Sequence, residues 1–281
     1  MEPHVFAAVL AAAAMHAGWN SFLKLKIEPF LAMTLVTGAC GVVALPPLLV
    51  FGFPTAAAWP WVVASVVLHL GYYFALSAAY ARADMSQIYP IARGGAPLLT
   101  ATASTFLLRE PVTGGQGVGI ALLGCAILAM SVVGRRRGTR FDPVAVALAL
   151  LTAAIICGYT LVDGIGGRTA ADPHAYSATL FVIDAIPLPL YAVWRRGRTA
   201  LDTMRPYWRQ GLAAGAMSLG SYWIAIWAMT VAPIALVAAL RESSVLFAAA
   251  IAVLILKEPL QWPRALAAAL ILLSLALIRL G

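Results

Sequence analysis

Charged residues are scarce in this sequence: Asp, Glu, Lys and Arg make up 11% of its 281 residues. Soluble domains carry about 25% of these residue types. Hydrophobic residues make up 62%, which is more than one soluble core would use. A lipid-facing surface accounts for both values. The composition therefore excludes an ordinary soluble domain and favours a chain that lies within a bilayer.

Cysteine is also scarce. The three cysteines, Cys40, Cys125 and Cys157, each lie inside an apolar run, with no paired spacing and no histidine at ligand spacing. We interpret them as small apolar side chains and expect no disulfide, no metal site and no cofactor. A positively charged start is missing before the first apolar run, so this run is predicted to be a retained helix rather than a cleaved signal.

Ten apolar segments approach the roughly 20 residues that a spanning helix needs. Short links that hold the Pro, Gly and charged residues separate them, and no soluble domain is left over. In chain order, the segments are Val5–Leu23, Phe30–Phe51, Trp59–Tyr80, Gln87–Leu108, Gln116–Gly134, Pro143–Val162, Ala175–Trp194, Gly211–Thr230, Ile234–Leu256 and Trp262–Ile278. The predicted fold is an all-α membrane protein with ten transmembrane helices.

The two halves of the chain repeat each other. Arg109-Glu110-Pro111 resembles Lys257-Glu258-Pro259 at an offset of 148, and Arg93 falls on Arg241 at the same offset. Gly18-Trp19 in segment one resembles Gly158-Tyr159 in segment six. We predict two five-helix repeats, residues 1–140 and residues 141–281. Because five is odd, the repeats must have opposite orientations, as in transporters with a site near the midplane.

These features resemble the EamA-type family of the drug/metabolite transporter superfamily over essentially the whole chain. The resemblance rests on the ten segments, the repeat, the Glu-Pro pairs after segments four and nine, and His16-Ala17-Gly18-Trp19-Asn20. It implies two inverted repeats around a central cavity, with segments five and ten at the periphery. EamA relatives handle amino acids and other metabolites, often as exporters, so the resemblance leaves the substrate open.

Basic residues favour one orientation. Of the nineteen Lys and Arg residues, fourteen lie in links after odd-numbered segments and three on the other face. The positive-inside rule places the odd links in the cytoplasm and both termini outside. Familiar ten-helix relatives are thought to have both termini inside, so the sequence and the resemblance disagree here. The net charge of +8 is explained by these links, and we expect no nucleic-acid partner.

Arg93 and Arg241 are the leading site candidates, because ionisable side chains inside spanning helices are costly. Each lies roughly 10 Å into its segment, from opposite faces if the repeat is inverted. Two guanidinium groups near the midplane would bind a carboxylate, phosphate or phosphonate. The alternative is that each arginine pairs with an internal carboxylate or a helix end. Glu242 is either such a counter-ion or a proton carrier.

Other candidates lie on segments one, four, six and eight. His16 and Asn20 are four residues apart and share a helix face, beside Trp19. This face either lines a cavity or makes interhelical hydrogen bonds. Tyr89, Tyr159 and Tyr222 are aromatic candidates for stacking on a substrate.

Further predictions concern two ionisable residues and the continuity of segment four. His69 and Asp184 are interpreted as structural. Pro90, Pro97 and Gly94-Gly95 are expected to interrupt segment four, as glycine and proline breaks often flank transporter sites.

The sequence favours a secondary transporter for small polar, zwitterionic or anionic organic metabolites in a bacterial-type inner membrane. Its expected partners are the bilayer, a small-molecule substrate and protons as a candidate coupling ion, and its oligomeric state is open. Direct use of ATP is disfavoured, because no Gly-x-x-x-x-Gly-Lys-Ser/Thr motif occurs. The alternatives are a structural or assembly protein and, less favoured, an intramembrane enzyme, which would need a nucleophile–base set or a metal cluster.

The orientation can be tested in the Arg135–Arg140 link, which carries four of the odd-link charges. In a cysteine-free variant, we expect a cysteine at Thr139 to resist a membrane-impermeant thiol reagent in intact cells, and a cysteine at Thr55 to react. Labelling at Thr139 with protection at Thr55 would reverse the predicted topology.

Overall fold

The computed structural model describes residues 1–22, 27–83, 85–133, 142–255, 257 and 262–281. These residues form helices and no strand. The α-helices are α1 (Pro3–Phe22), α2 (Pro29–Phe51), α3 (Trp59–Tyr80), α4 (Met85–Leu107), α5 (Gly114–Val133), α6 (Pro143–Thr169), α7 (Pro173–Asp184), α8 (Pro187–Arg196), α9 (Arg198–Met204), α10 (Trp208–Val231), α11 (Ile234–Arg241), α12 (Ser244–Ala250) and α13 (Trp262–Leu280).

Six helical stretches of the described chain are long and apolar enough to cross a membrane. They are Pro29–Phe51, Ala56–Tyr80, Gly114–Ser131, Pro143–Thr169, Pro173–Arg196 and Arg198–Val231. These helices confirm the predicted class, an all-α membrane protein. The Arg135–Arg140 link, on which the topology experiment depends, lies outside the described residues.

Asp-Pro pairs set the starts of two helices. Asp142 precedes Pro143 at the start of α6, and its carboxylate accepts a hydrogen bond of 2.9 Å from the Val144 backbone nitrogen. Asp172 does the same for α7, accepting 2.8 Å from the His174 nitrogen. An aspartate N-cap followed by proline satisfies one free backbone donor and presets the helical φ angle.

The helix breaks lie in segments seven and nine, not in segment four as expected. The helix α4 runs unbroken through Pro90 and Pro97. Segment seven breaks after Asp184, where α7 ends, and α8 begins at Pro187 after two intervening residues. Segment nine breaks after Arg241, and a π-helical turn follows α12. The prediction for segment four was wrong because each proline removes only one backbone hydrogen bond from α4. Groups on neighbouring helices can satisfy the carbonyl that is left free.

The helices pack in matched pairs. The contacts of α3 with α6 have a counterpart in those of α10 with α1, and the contacts of α4 with α6 have one in those of α11 and α12 with α1. The pairs α4–α5 and α12–α13 correspond in the same way. The helices α5 and α13 pack against each other beside these pairs. These contacts are thus matched when segment n is exchanged with segment n + 5.

Gly94 allows α4 to approach α5 closely. A Cβ atom at this position would lie 3.0 Å from the Gly124 carbonyl oxygen and 3.0 Å from the Leu128 backbone nitrogen. Backbone atoms cannot rotate away as a side chain can, so an added methyl group would push the helices apart. Small residues at such contacts are typical of membrane helix packing.

We expect Gly94→Ala to destabilise the protein by about 1–3 kcal/mol through overpacking. Gly117→Ala in α5 is the matched control. A Cβ atom added there would have no described atom of another helix within 4 Å. That control should be neutral or slightly stabilising, since alanine favours a helix over glycine by about 1 kcal/mol. The thermal midpoints of both purified variants measure the difference, and equal midpoints would contradict the close contact.

Candidate functional site

A cavity of about 110 Å³ lies between α1, α2, α3, α4, α6, α7, α10 and α11. We call it the central cavity. Its aromatic wall consists of Trp19, Tyr72, Tyr73, Tyr159, Phe181 and Tyr222. Its ionisable lining residues are His16, His69, Arg93, Asp184 and Arg241. Both halves of the chain thus contribute polar groups to one enclosed, largely aromatic space.

Arg93 is held by Glu242. The Arg93 Nε and Glu242 Oε2 atoms lie 2.9 Å apart, and both residues are buried, with 6% and 5% exposure. Neither atom has a well-aligned hydrogen bond, and Arg93 Nη2 also lacks one among the described residues. The contact is therefore an ion pair with unused donor capacity, and it joins α4 to the break that follows α11.

Arg241 has a different environment. Its guanidinium carbon lies 4.6 Å from the centre of the Tyr222 ring. Within the described part of the chain it forms none of the ion pairs, although it is only 8% exposed. A cation stacked on an aromatic face keeps its planar donors free for an anion. Arg241 is therefore the lining cation that is most available to a ligand.

Asp163 is buried beneath the aromatic wall and is saturated by two tyrosines. The Tyr176 hydroxyl donates to Asp163 Oδ1 over 2.9 Å, and the Tyr222 hydroxyl donates to Oδ2 over 2.5 Å. Asp163 has 0% exposure. By accepting from Tyr222, it fixes the ring that carries Arg241, so Asp163 positions the cation without reaching the cavity.

His69 and Asp184 meet on another wall of the central cavity. The His69 Nδ1 and Asp184 Oδ1 atoms lie 3.6 Å apart, too far for a hydrogen bond, and neither atom has a hydrogen-bond partner among the described residues. The His69 ring packs 4.6 Å from Tyr159 and 5.9 Å from Tyr222, centre to centre. Asp184 is the last residue of α7.

Segment one lies between the central cavity and a second cavity. His16 lines both, whereas Asn20 and Tyr89 line only the second cavity, which measures about 380 Å³ between α1, α4, α5, α12 and α13. Trp19 Nε1 donates to His16 Nδ1 over 3.3 Å, and Asn20 Nδ2 donates to the His16 carbonyl over 2.8 Å. These bonds stay within α1. The Arg93 guanidinium lies 5.9 Å from the Tyr89 ring centre.

A third cavity of about 520 Å³ lies between the start of α2 and the ends of α3 and α8. It adjoins the central cavity, because Met33 and Tyr73 line both. We call it the outer cavity. Arg196 lines it and donates two hydrogen bonds to Glu28. These bonds lower the pKa of Glu28, which stays ionised at neutral pH beside the opening.

The opposite face carries a network around Glu110, which we call the Glu110 latch. Glu110 Oε1 lies 2.6 Å from Arg168 Nη2, and Glu110 Oε2 accepts 2.8 Å from the Ile234 backbone nitrogen at the start of α11. Arg168 also donates to the carbonyls of Met229 over 2.7 Å and Ala232 over 3.0 Å. Links from both halves of the chain are thus tied together on this face.

Part of the polar lining was predicted from the sequence. Of its nine candidates, His16, Trp19, Arg93, Tyr159, Tyr222 and Arg241 line the central cavity, while Tyr89 and Asn20 lie at the second cavity and Glu242 pairs with Arg93. His69 and Asp184 were interpreted as structural, yet both line the central cavity. Their signal was present, since both are ionisable residues within apolar runs.

Comparisons with known proteins agree with this architecture. The sequence profile of the EamA-like transporter family matches residues 144–280. A crystal structure of another protein superposes with a TM-score of 0.76, covering 98% of this chain and 95% of that chain at 20% identity. This likeness concerns the fold alone. No curated protein matches the chain. The apolar helices show a multi-pass integral membrane protein, and its residues 144–280 match the EamA-like transporter family, a family of the drug/metabolite transporter superfamily.

Proposed function

We propose that this protein is a secondary transporter that moves small zwitterionic or anionic organic metabolites across a bacterial-type inner membrane by alternating access. The observation that carries the proposal is Arg241, a buried cation that faces the central cavity and stacks on Tyr222 without forming an ion pair in the described chain. An arginine without an ion pair is costly inside a membrane, and such residues mark candidate functional sites. The carboxylate, phosphate or phosphonate group of a ligand would pair with the Arg241 guanidinium.

Two inverted five-helix repeats, residues 1–140 and 141–281, are part of the same proposal. The matched helix pairs support it. So does the backbone at Arg109 and Lys257, which have φ angles of 55° and 54° and precede the two Glu-Pro pairs. Such left-handed angles are rare outside glycine. Two equivalent positions with the same unusual angle support a common origin of the two halves, and inverted repeats are built to alternate.

The two faces of the protein also support alternating access. The outer cavity adjoins the central cavity on the face that carries Glu28 and Arg196, whereas the Glu110 latch ties the opposite face. By the positive-inside rule, the face with the outer cavity is cytoplasmic. A transporter that releases the latch while closing the outer cavity would expose the central cavity to the other side.

The family assignment favours transport over the two alternatives that the sequence raised, an assembly protein and an intramembrane enzyme. Arg93, Glu242, Tyr89, His16, Trp19, Asn20, Tyr159 and Tyr222 are proposed to support Arg241 as site residues. Among them, Glu242 holds Arg93 in place through their ion pair. If substrate binding broke this pair, the Arg93 guanidinium would become a second group free to bind an anion. The two earlier hypotheses for Glu242, counter-ion and proton carrier, both remain compatible with this position.

Arg241 provides the direct test. Stabilisation of the purified protein by short amino acids, organic carboxylates and phosphonates identifies a bound compound, because a ligand that binds only the folded protein raises the thermal midpoint as its concentration exceeds its Kd. We expect Arg241→Gln to weaken binding of that compound about ten- to a hundred-fold, the loss of one charged hydrogen-bonding group. Arg241→Lys should restore binding only in part, since an ammonium group lacks the planar two-point contact.

Arg93 provides the matched control for this experiment. Arg93→Gln leaves Glu242 buried and unpaired, which costs about 3–5 kcal/mol, so this variant should unfold more easily. The double variant Arg93→Gln/Glu242→Gln should regain stability because no charge is left unpaired. A well-folded Arg241→Gln protein that binds and transports like the wild type would refute the proposed role of Arg241.

The Glu110 latch makes a separate prediction. In a cysteine-free variant, a cysteine at Ser218, which lines the central cavity, should resist an impermeant thiol reagent applied from the latch face. Adding Glu110→Gln/Arg168→Gln removes the ion pair without leaving a buried charge, and labelling should become at least several-fold faster. The control is Glu28→Gln, which removes an ion pair from the opposite face. Unchanged labelling in the latch variant would show that this network does not hold the face closed.

A further inference from the structure

Three buried carboxylates lie in or beside the wall of the central cavity, and their hydrogen-bonding needs are met to different degrees. Glu242 is paired with Arg93 at 2.9 Å, and Asp163 accepts from two tyrosine hydroxyls. Asp184 has only His69 at 3.6 Å, and its Oδ1 atom lacks a hydrogen bond among the described residues. Asp184 is 6% exposed and lines the cavity. A buried carboxylate oxygen in this condition requires a donor.

The end of α7 adds negative charge at the same place. Asp184 is the last residue of this 12-residue helix, and the chain turns through Ala185 and Ile186 before Pro187. The carboxyl end of a helix carries a partial negative charge from its free carbonyl groups. Broken helices in transporters use such ends to hold cations. The carboxylate and the helix end therefore both favour a positive group in this part of the cavity.

The surrounding rings suit an organic cation. Tyr73, Phe181 and Tyr222 line the cavity together with Asp184, and Phe181 and Tyr222 lie 6.1 Å apart with nearly perpendicular rings. Ammonium groups are attracted to the faces of such rings. A hydrated metal ion would need several oxygen ligands instead, and the described residues contain no group of three or more metal-binding side chains. An ammonium group fits one carboxylate and an aromatic wall better.

Tyr222 connects this negative pole to the positive one. Arg241 lies over the Tyr222 ring at 4.6 Å, and the same ring packs 5.9 Å from His69, which contacts Asp184. We infer that Asp184, with the carboxyl end of α7, binds the ammonium group of a zwitterionic amino-carboxylate substrate whose carboxylate binds Arg241. This inference rests on the proposed transport function and specifies its substrate class. His69 positions the Asp184 carboxylate.

The test uses matched compounds that differ by one charged group. Each set contains an amino acid, the acid that lacks its amino group and the amine that lacks its carboxyl group: L-alanine, propionate and ethylamine, and likewise for 4-aminobutyrate and L-leucine, which vary the charge spacing and size. Binding to the purified full chain is measured by thermal stabilisation and transport by reconstitution in vesicles. For at least one set, the wild type should bind the amino acid about ten-fold or more tighter than either analogue.

Asp184→Asn keeps the shape of the side chain and removes its charge. This variant should bind the amino acid no better than the matching acid, while its affinity for the acid stays the same or increases. Asp202→Asn is the control, because it makes the same change at an exposed aspartate of α9 that does not line the cavity, and it should leave the preference for the amino acid intact. Should Asp184→Asn not fold, the wild-type preference for the amino acid over the acid still tests the ammonium pole.

Three results would overturn the inference. The first is a wild type that binds amino acid and acid equally. The second is an Asp184→Asn protein that keeps the wild-type preference. The third is an Asp184→Asn protein that keeps the preference but loses its dependence on sodium or on a pH gradient, which would assign Asp184 to a coupling cation. In all three the acids still bind through Arg241, so the proposed function survives; if no compound binds or moves, both fail.

Discussion

The ion pair between Arg93 and Glu242 is the contact on which the rest of the central cavity depends. A charge buried in a bilayer is costly alone, and a paired charge demands that both helices hold a fixed position. Here the pair fixes α4 to the break after α11, at 2.9 Å. That break ends α11 at Arg241 and places its guanidinium over Tyr222. Glu242 neutralises Arg93, so Arg241 is left without an ion pair among the described residues and is the cation that we propose to bind a ligand.

Breaks in two helices make the cavity polar without exposing backbone to lipid. Unpaired backbone groups are tolerated at this depth only where protein or a cavity surrounds them. Segment seven breaks at Asp184 and segment nine at Arg241, so the two interruptions carry opposite charges. An unbroken helix would spread its side chains evenly around its axis. Each broken helix ends at a residue that lines the cavity, so one negative and one positive side chain come from segments seven and nine.

Local signals in the sequence predicted the helices and much of the polar lining, because they are properties of short stretches. Apolar length gave the segments, and Asp-Pro pairs mark the starts of α6 and α7. The partners of each charge were not predictable in this way. Arg93 and Glu242 are 149 residues apart, and His69 and Asp184 are 115 apart. The breaks were misplaced for the same reason: Pro90 and Pro97 are strong local signals, yet packing around α4 keeps it continuous.

The two halves resemble each other, but the two faces are not held by the same ion pair. At the offset that places Gly18 on Gly158, Arg168 falls on Glu28. Arg168 pairs with Glu110 on the closed face, whereas Glu28 pairs with Arg196 beside the outer cavity. A second copy of the Glu110 latch would therefore place two carboxylates together, Glu28 and Glu258, and they would repel each other. An inverted repeat with identical latches would stabilise both closed faces equally. In the alternating-access cycle proposed above, changing the charge at one position would let one face stay shut while the other admits a substrate, so the two states would differ in energy and a ligand could shift their populations.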